Sequence, residues 1–303
     1  MNEFEYIAWL RSRTPAHPRV PAGPGDDCAV VEIAPGRVCL VTTDMLLEGS
    51  HFILAEAGAR RVGRKTIAVN LSDIAAMGGK PLAAFVSVGL PRERADALAE
   101  ELYLGMREIA DEFDTALAGG DTNTWDGALA ISVTLVGEPG PQGPIFRKGA
   151  RPGDWLLVTG PLGGSLRGRH LDFTPRVREA LALQEHAALH AMIDVSDGLA
   201  ADVNHLCEES GCGAVLWADA VPIHDAARQM GDGRTPLEHA LGDGEDFELA
   251  FAVDPEEGDR LVRGQPVAGI RLHRIGTFTP GSGMTLMEHG EARPLPPVGY
   301  VHR

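Results

Sequence analysis

The sequence predicts a two-domain protein of mixed α/β, or α+β, class. Three observations predict it. The chain has 303 residues, enough for two ordinary domains. Strand-like and helix-like segments mix without the strict βαβ rhythm of a doubly wound sheet. A stretch dense in Pro and Gly, "EPGPQGPIFRKGARPGD", divides the chain near its middle, and we set an N-terminal domain at 1–148 and a C-terminal domain at 149–303.

Taken in order, "CAVVEI" and "RVCLVTTDML" are rich in β-branched and apolar residues and predict two strands joined by the turn "APGR". "ARRVGRKTIAVNLSDIAAMGG" predicts a helix, with Gly78-Gly79 and Pro81 as its stop. "PLAAFVSVGL" predicts a strand and "RADALAEELYLGMREIADEFD" an amphipathic helix. "TALAGGDTN" and "GALAISVTLVGE" continue the strand pattern. Beyond the boundary, "WLLVTG" opens a second unit. That unit has a helix after "MIDVSDG", then strands "GAVLWA" and "DFELAFAV". The chain carries no internal repeat and no low-complexity segment.

Composition narrows the function. A formal net charge of -16 argues against wrapping nucleic acid or settling on an anionic membrane. No stretch reaches the roughly 20 apolar residues of a membrane span. The start, "MNEFEYIAWL", is acidic where a signal peptide is basic and apolar. Cys28, Cys39, Cys207 and Cys212 form no CxxC pair and read as reduced thiols of a cytoplasmic protein.

The chemistry sits in aspartates that punctuate apolar segments. Asp26 and Asp27 stand side by side in "PGDDCAVVE", between a Pro-Gly turn and a strand. Asp44 lies in "VTTDML", Asp73 in "NLSDIAAMGG", Asp121 in "AGGDTN", and Asp194 and Asp197 in "MIDVSDG". "GDGEDFELAF" adds Asp243, Glu245 and Asp246. Each has an ordinary reading as well: Asp26 or Asp27 as a turn or cap residue, Asp121 as a turn residue, Asp197 as a helix N-cap, Asp73 as the partner of Lys65 or an arginine. Asp73 is the hardest to explain that way, because its helix has no evident solvated face and burying a lone carboxylate is expensive. A hard divalent cation is the economical partner for the whole set. Mg²⁺ binds through a few carboxylates, water and substrate phosphates. His51, Tyr103 and Tyr300, taken singly, read as structural residues.

Competing phosphate motifs are missing. The sequence has no GxxxxGK[ST], no GxGxxG after a strand, no HRD or DFG pair and no GxSxG. "GPLGGSLRG" is glycine-rich, and reads equally as a backbone cradle for phosphate or as a flexible loop.

Together, "GDDCAVVE", "TTDMLLEGSHF", "AVNLSDIAAMGGKP", "GGDTN", "RKGARPGDWLLVTG", "IDVSDGLAADV" and "GDGEDFELAF" resemble the ordered motif series of thiamine-monophosphate kinases, in the superfamily of aminoimidazole-ribonucleotide synthetase. The resemblance implies transfer of the γ-phosphate of ATP to thiamine monophosphate, with several Mg²⁺ ions. It implies an N-terminal mixed sheet that forms a barrel across a homodimer, and a C-terminal α/β domain. By match to the motifs, Asp27, Thr42, Thr43, Asp44, Asp73, Asp121, Asp194 and Asp197 would hold magnesium, with Asp73, Asp121 and Asp197 closest to the chemistry. Tyr103, Asp121, Arg147 and Ser196 would bind ATP; His51, Glu245 and Tyr300 would contact the thiamine phosphate.

The chain departs from the pattern in places. The stretch 161–190, with "DFTPRV", looks short; Asp243 stands where a small residue is expected; Tyr300 replaces a frequent Trp or Phe. All three bear on the acceptor more than on the nucleotide. Within the superfamily, a selenophosphate synthetase would carry a reactive Cys near its start, and a hydrogenase-maturation protein would end in a Cys tail rather than "VGYVHR". Aminoimidazole-ribonucleotide synthetase is the enzymatic alternative, and a nucleotide-binding paralogue without turnover the alternative from another class.

Overall fold

The computed structural model describes residues 3–300, so the last three residues of "VGYVHR" lie outside the described part. The first sheet is built from β1 (Ala29–Ala34), β2 (Arg37–Leu47), β3 (Gly79–Pro91), β4 (Ala116–Trp125) and β5 (Ala130–Pro139). Their order is β1-β2-β5-β3-β4, antiparallel except for the parallel β3–β4 pair. Pro81 and Gly79 open β3 instead of stopping the preceding helix, which ends at Ala76. The strand tolerates Pro81 because pairing with β4 starts only at Ala83, leaving no partner on that side for a proline to disappoint.

The helices Ala59–Ala76 and Ala95–Glu112 cover one face of this sheet. They approach unusually closely. A Cβ at Gly63 would stand 2.1 Å from Leu102 O, and one at Gly105 1.8 Å from Arg60 O. Only glycine fits such backbone contact. Helix Ala59–Ala76 buries Val62, Ile67, Leu71 and Ile74 completely, as its all-apolar reading required. The opposite face of the sheet is uncovered: Met45 is 59% and Phe85 44% exposed, and β4 lies open along most of its length.

The second sheet contains β6 (Trp155–Val158), β7 (Leu189–Asp194), β8 (Gly213–Trp217), β9 (Leu249–Val253), β10 (His273–Thr279), β11 (Met284–Glu288) and β12 (Glu291–Leu295). Its order is β12-β11-β8-β10-β6-β9-β7, antiparallel except for β11–β8. Both of its faces are buried. Leu157, Met192 and Phe251 join a core that continues into the first sheet, while their strand neighbours Leu156, Ile193 and Ala250 face a second core with Leu199 and Phe278. Helix Ala59–Ala76 thus lies between the two sheets, touching β2, β3, β5 and β7. This is a mixed α/β architecture. Among the described residues no helix is long and apolar enough to cross a membrane.

Candidate active site

The central helix positions the site. Lys65, Val69 and Asp73, at i, i+4 and i+8, share one helical face and line a cleft of about 650 Å³. The cleft gathers Asp27, Thr42, Thr43, Asp44, His51, Arg147, Asp194, Ser196, Asp197, Glu245 and Tyr300 as well.

Its floor is carboxylate. One oxygen from each of Asp27, Asp73 and Asp194 lies within 4.8 Å of the others. Thr42 Oγ1 donates to Asp73 Oδ2, Ser72 Oγ to Asp194 Oδ2 and Arg147 Nη2 to Asp27 Oδ1. Strand alternation on β2 sends Thr42 and Asp44 inward, and Asp44 shares a hydrogen bond with Asp73. Thr43 bonds Val133 O at 3.1 Å.

Such crowding raises proton affinity. Burial, then the charges of Asp44, Asp194 and Asp27, hold the Asp73 carboxyl well above the usual carboxylate range. Burial and the nearby Asp27 push Asp194 up to about 8. Burial also raises Asp44. Asp27 Oδ2 is buried and lacks a hydrogen-bond partner, a costly state for a carboxylate oxygen. These oxygens fit a hard divalent cation: they are closely spaced, all oxygen and over-supplied with negative charge.

Asp26 has a different task. Its Oδ1 accepts the Arg147 backbone N–H at 2.7 Å, fastening the Pro-Gly-rich connector to the strand entrance. Arg147 stays cationic because Asp27 outweighs the burial that opposes its charge.

The second sheet supplies the far wall. Asp197 does not cap the helix Leu199–Ser210; instead Asp202 Oδ2 accepts the N–H groups of Asp197 (3.2 Å) and Gly198 (3.0 Å). Asp197, Asp202 and His205 form a further group whose ligand atoms lie within 4.8 Å of one another. The backbone at 196–197 also anchors the other wall: Glu245 N donates to Ser196 O at 2.7 Å and Tyr300 N to Asp197 O at 2.9 Å. Lys65, 1% exposed, turns away from Asp73 and donates to Glu245 Oε1 (2.5 Å) and His51 O (2.9 Å). With Phe247, Leu166 and Tyr300, this end of the cleft is more apolar than the aspartate floor.

Two predicted residues stay outside the cleft. Tyr103 is half-exposed on the helix Ala95–Glu112, and Asp121 is exposed on β4 with Asn123 Nδ2 donating to it at 2.8 Å. The register runs Asp44, Val133, Val86, Gly120 across the sheet. Asp121 is therefore three strands from Asp44, about 14 Å.

The "GPLGGSLRG" loop is not a phosphate cradle here. Gly163 N donates to both Asp246 oxygens (3.0 and 2.8 Å) and Gly164 N to Asp243 Oδ2 (2.8 Å), so these amides are already taken. Sequence reasoning missed Asp202, His205 and Arg11, and the ordinary reading that paired Asp73 with Lys65 does not hold, since Lys65 bonds Glu245. Lys65 was detectable, since it shares a helical face with Asp73. Arg11 was not: it reaches the cleft from the helix Glu3–Arg13 and bonds Glu209 at 2.5 and 3.2 Å.

Comparison with known proteins gives the family. Residues 25–138 match the family model "AIR synthase related protein, N-terminal domain", and 165–289 match its C-terminal counterpart. A thiamine-monophosphate kinase of Rhodopirellula baltica is 42% identical, over 99% of this chain and 97% of its own. That of Salmonella typhimurium is 36% identical, over 99% and 98%. A solved structure of AaThiL complexed with AMPPCP and TMP superposes with a TM-score of 0.85 at 30% identity, covering 100% of this chain and 97% of that one. The chain belongs to the thiamine-monophosphate kinase family, built from the two domains of the AIR synthase related proteins.

Proposed function

We propose that the protein transfers the γ-phosphoryl group of ATP directly to the phosphate of thiamine monophosphate, forming thiamine diphosphate with Mg²⁺. The observation that carries this reading is the triad Asp27–Asp73–Asp194, with a buried, partnerless oxygen on Asp27. Asp27, Thr42, Asp44, Asp73, Asp194 and Asp197 would hold the ions, with Thr43 alongside through its backbone. Held by these residues, Mg²⁺ would supply neutralisation of the phosphate charge.

The chain's own groups account for the rest. The acceptor is an ionised phosphate and already nucleophilic, so the reaction requires no nucleophile–base dyad. Positioning is what remains, and it is worth much in phosphoryl transfer. Arg147 and Ser196 lie beside the aspartate floor, where the nucleotide phosphates belong. Glu245, His51 and Tyr300 lie at the apolar end, which suits the flat, cationic thiamine portion.

Asp121 and Tyr103 enter this scheme from a second copy of the chain. The open face of the first sheet and the long exposed strand β4 favour a two-fold homodimer in which the sheets close into a barrel. We keep 1–148 and 149–303 as the two domains, with β6 the first strand of the second sheet. Four thiols free of disulfides suit a reducing cytoplasm.

Incubating the protein with ATP, Mg²⁺ and thiamine monophosphate, and separating products by chromatography, tests the reading. Thiamine diphosphate and ADP should form in equal amounts. ADP without thiamine diphosphate would refute it.

A further inference from the structure

The loop 243–248, "DGEDFE", alternates its side chains. Glu245 and Phe247 face the cleft, while Asp246 and Glu248 point the other way, toward a separate cavity of about 270 Å³ lined also by Arg169, Phe173 and Arg176. Glu245 and Phe247 both sit at φ 52, left-handed backbone that side chains rarely adopt. Such a conformation persists only where its surroundings over-determine it.

The front of the loop is held by backbone bonds to Val195 and Ser196 and by Lys65, and its back by one segment, 159–176. Asp246 is buried, accepts the Gly163 amide and pairs with Arg169 Nη2. Glu248 is buried and held by three donors: Thr159 Oγ1 (2.7 Å), Arg176 Nε (2.8 Å) and Arg176 Nη2 (2.5 Å). Ser165 Oγ bonds Gly244 O, and Gly164 N bonds Asp243. Phe173 stacks on Phe247 with ring centroids 4.0 Å apart. Gly244, Asp246 and Glu248 are thus fixed from behind: Arg176 forks onto the Glu248 carboxylate, and Arg169 spans the Asp246 carboxylate and carbonyl, geometries that lysine cannot reproduce.

We infer that Arg169 and Arg176 are positioning residues for the acceptor: by clamping Asp246 and Glu248 from the back, they set the backbone that aims Glu245 and Phe247 into the cleft. This rests on the functional reading above. Segment 159–176 and Asp243, which accepts the Gly164 amide, then belong to one device, a cast fitted to this loop. Among the described residues segment 159–176 makes no hydrogen bond to Asp27, Asp73 or Asp194, and the loop meets the nucleotide side only through backbone bonds at Val195 and Ser196, so nucleotide handling should change far less than acceptor handling.

The test is steady-state kinetics of Arg169→Lys and Arg176→Lys with each substrate varied in turn. The KM for thiamine monophosphate should rise about tenfold, with the KM for ATP and the Mg²⁺ requirement changing far less. Thermal melting checks folding. Should a lysine variant not fold, the double variant Arg176→Met/Glu248→Met decides, since it removes the charges together and keeps the volume. It should fold and show the same selective loss of acceptor affinity. Equal changes in both KM values, no change in either, or a double variant that cannot fold would overturn the positioning role. Wild-type protein inactive on thiamine monophosphate would instead overturn the functional reading, and this inference with it.

Discussion

Lys65 Nζ and Glu245 Oε1 lie 2.5 Å apart, joining the central helix of the first half to the loop 243–248 of the second. The ammonium is buried, and its second bond, to His51 O, adds a third segment of chain to the same point. Burial lowers the proton affinity of Lys65, and Glu245 opposes that loss. The pair fixes the two halves in the register that forms the cleft.

Removing one partner should therefore be costly. Lys65→Met leaves Glu245 without its cation in a largely dry place, and should destabilise the protein by about 3 kcal/mol. Lys65→Met/Glu245→Leu should recover most of that stability in denaturant titrations, yet keep poor acceptor affinity.

Asp73→Asn should act in the opposite sense on stability. It removes a buried charge repelled by Asp44, Asp194 and Asp27, so metal-free protein should melt at higher temperature. Turnover with saturating Mg²⁺ should fall by about a thousandfold. Unchanged turnover would return Asp73 to a structural role.

The adjacent pair should split in function. Asp27→Ala removes the partnerless oxygen and the Arg147 contact, and should raise the Mg²⁺ demand and reduce kcat by orders of magnitude. Asp26→Ala loses only the tie to the Arg147 amide and should cost mainly stability. Equal effects on kcat would contradict the division.

Proton linkage gives a further test. Asp194 has an unfolded value of 3.8 and a folded value pushed up to about 8. Between the two, the folded chain keeps a proton that the unfolded chain releases, so raising pH favours unfolding. In chelator, the melting temperature should fall from about pH 7 to about pH 8.5, above the range where histidines titrate. The stabilisation by added Mg²⁺ should widen over the same interval. A flat chelator curve would mean that Asp194 is ionised without metal.

Much of this site was legible in the sequence because its physics is local. Asp73 announced itself as a carboxylate on a helix with no wet face, and the strand alternation around Thr42 and Asp44 follows from period-two geometry. What stayed hidden depends on strand order and distant pairing. Nothing near Asp121 says that β4 lies at the sheet edge, three strands from Asp44. The amides of "GPLGGSLRG" looked available because the carboxylates that occupy them, Asp243 and Asp246, lie 79 and 83 residues further on. Lys65 was one of the partners open to Asp73 in an ordinary reading, whereas the fold pairs it with Glu245, 180 residues away.

The central claim is that carboxylates of the cleft, completed by Asp121 from a partner, form one magnesium-dependent phosphoryl-transfer site. Mixing two inactive variants, Asp73→Asn and Asp121→Ala, tests it most directly. After subunit exchange, half the dimers should be mixed and each should hold one intact site, restoring about a quarter of wild-type thiamine diphosphate formation, dependent on Mg²⁺. A mixture as inactive as its parents, although subunit exchange is verified, would contradict the account.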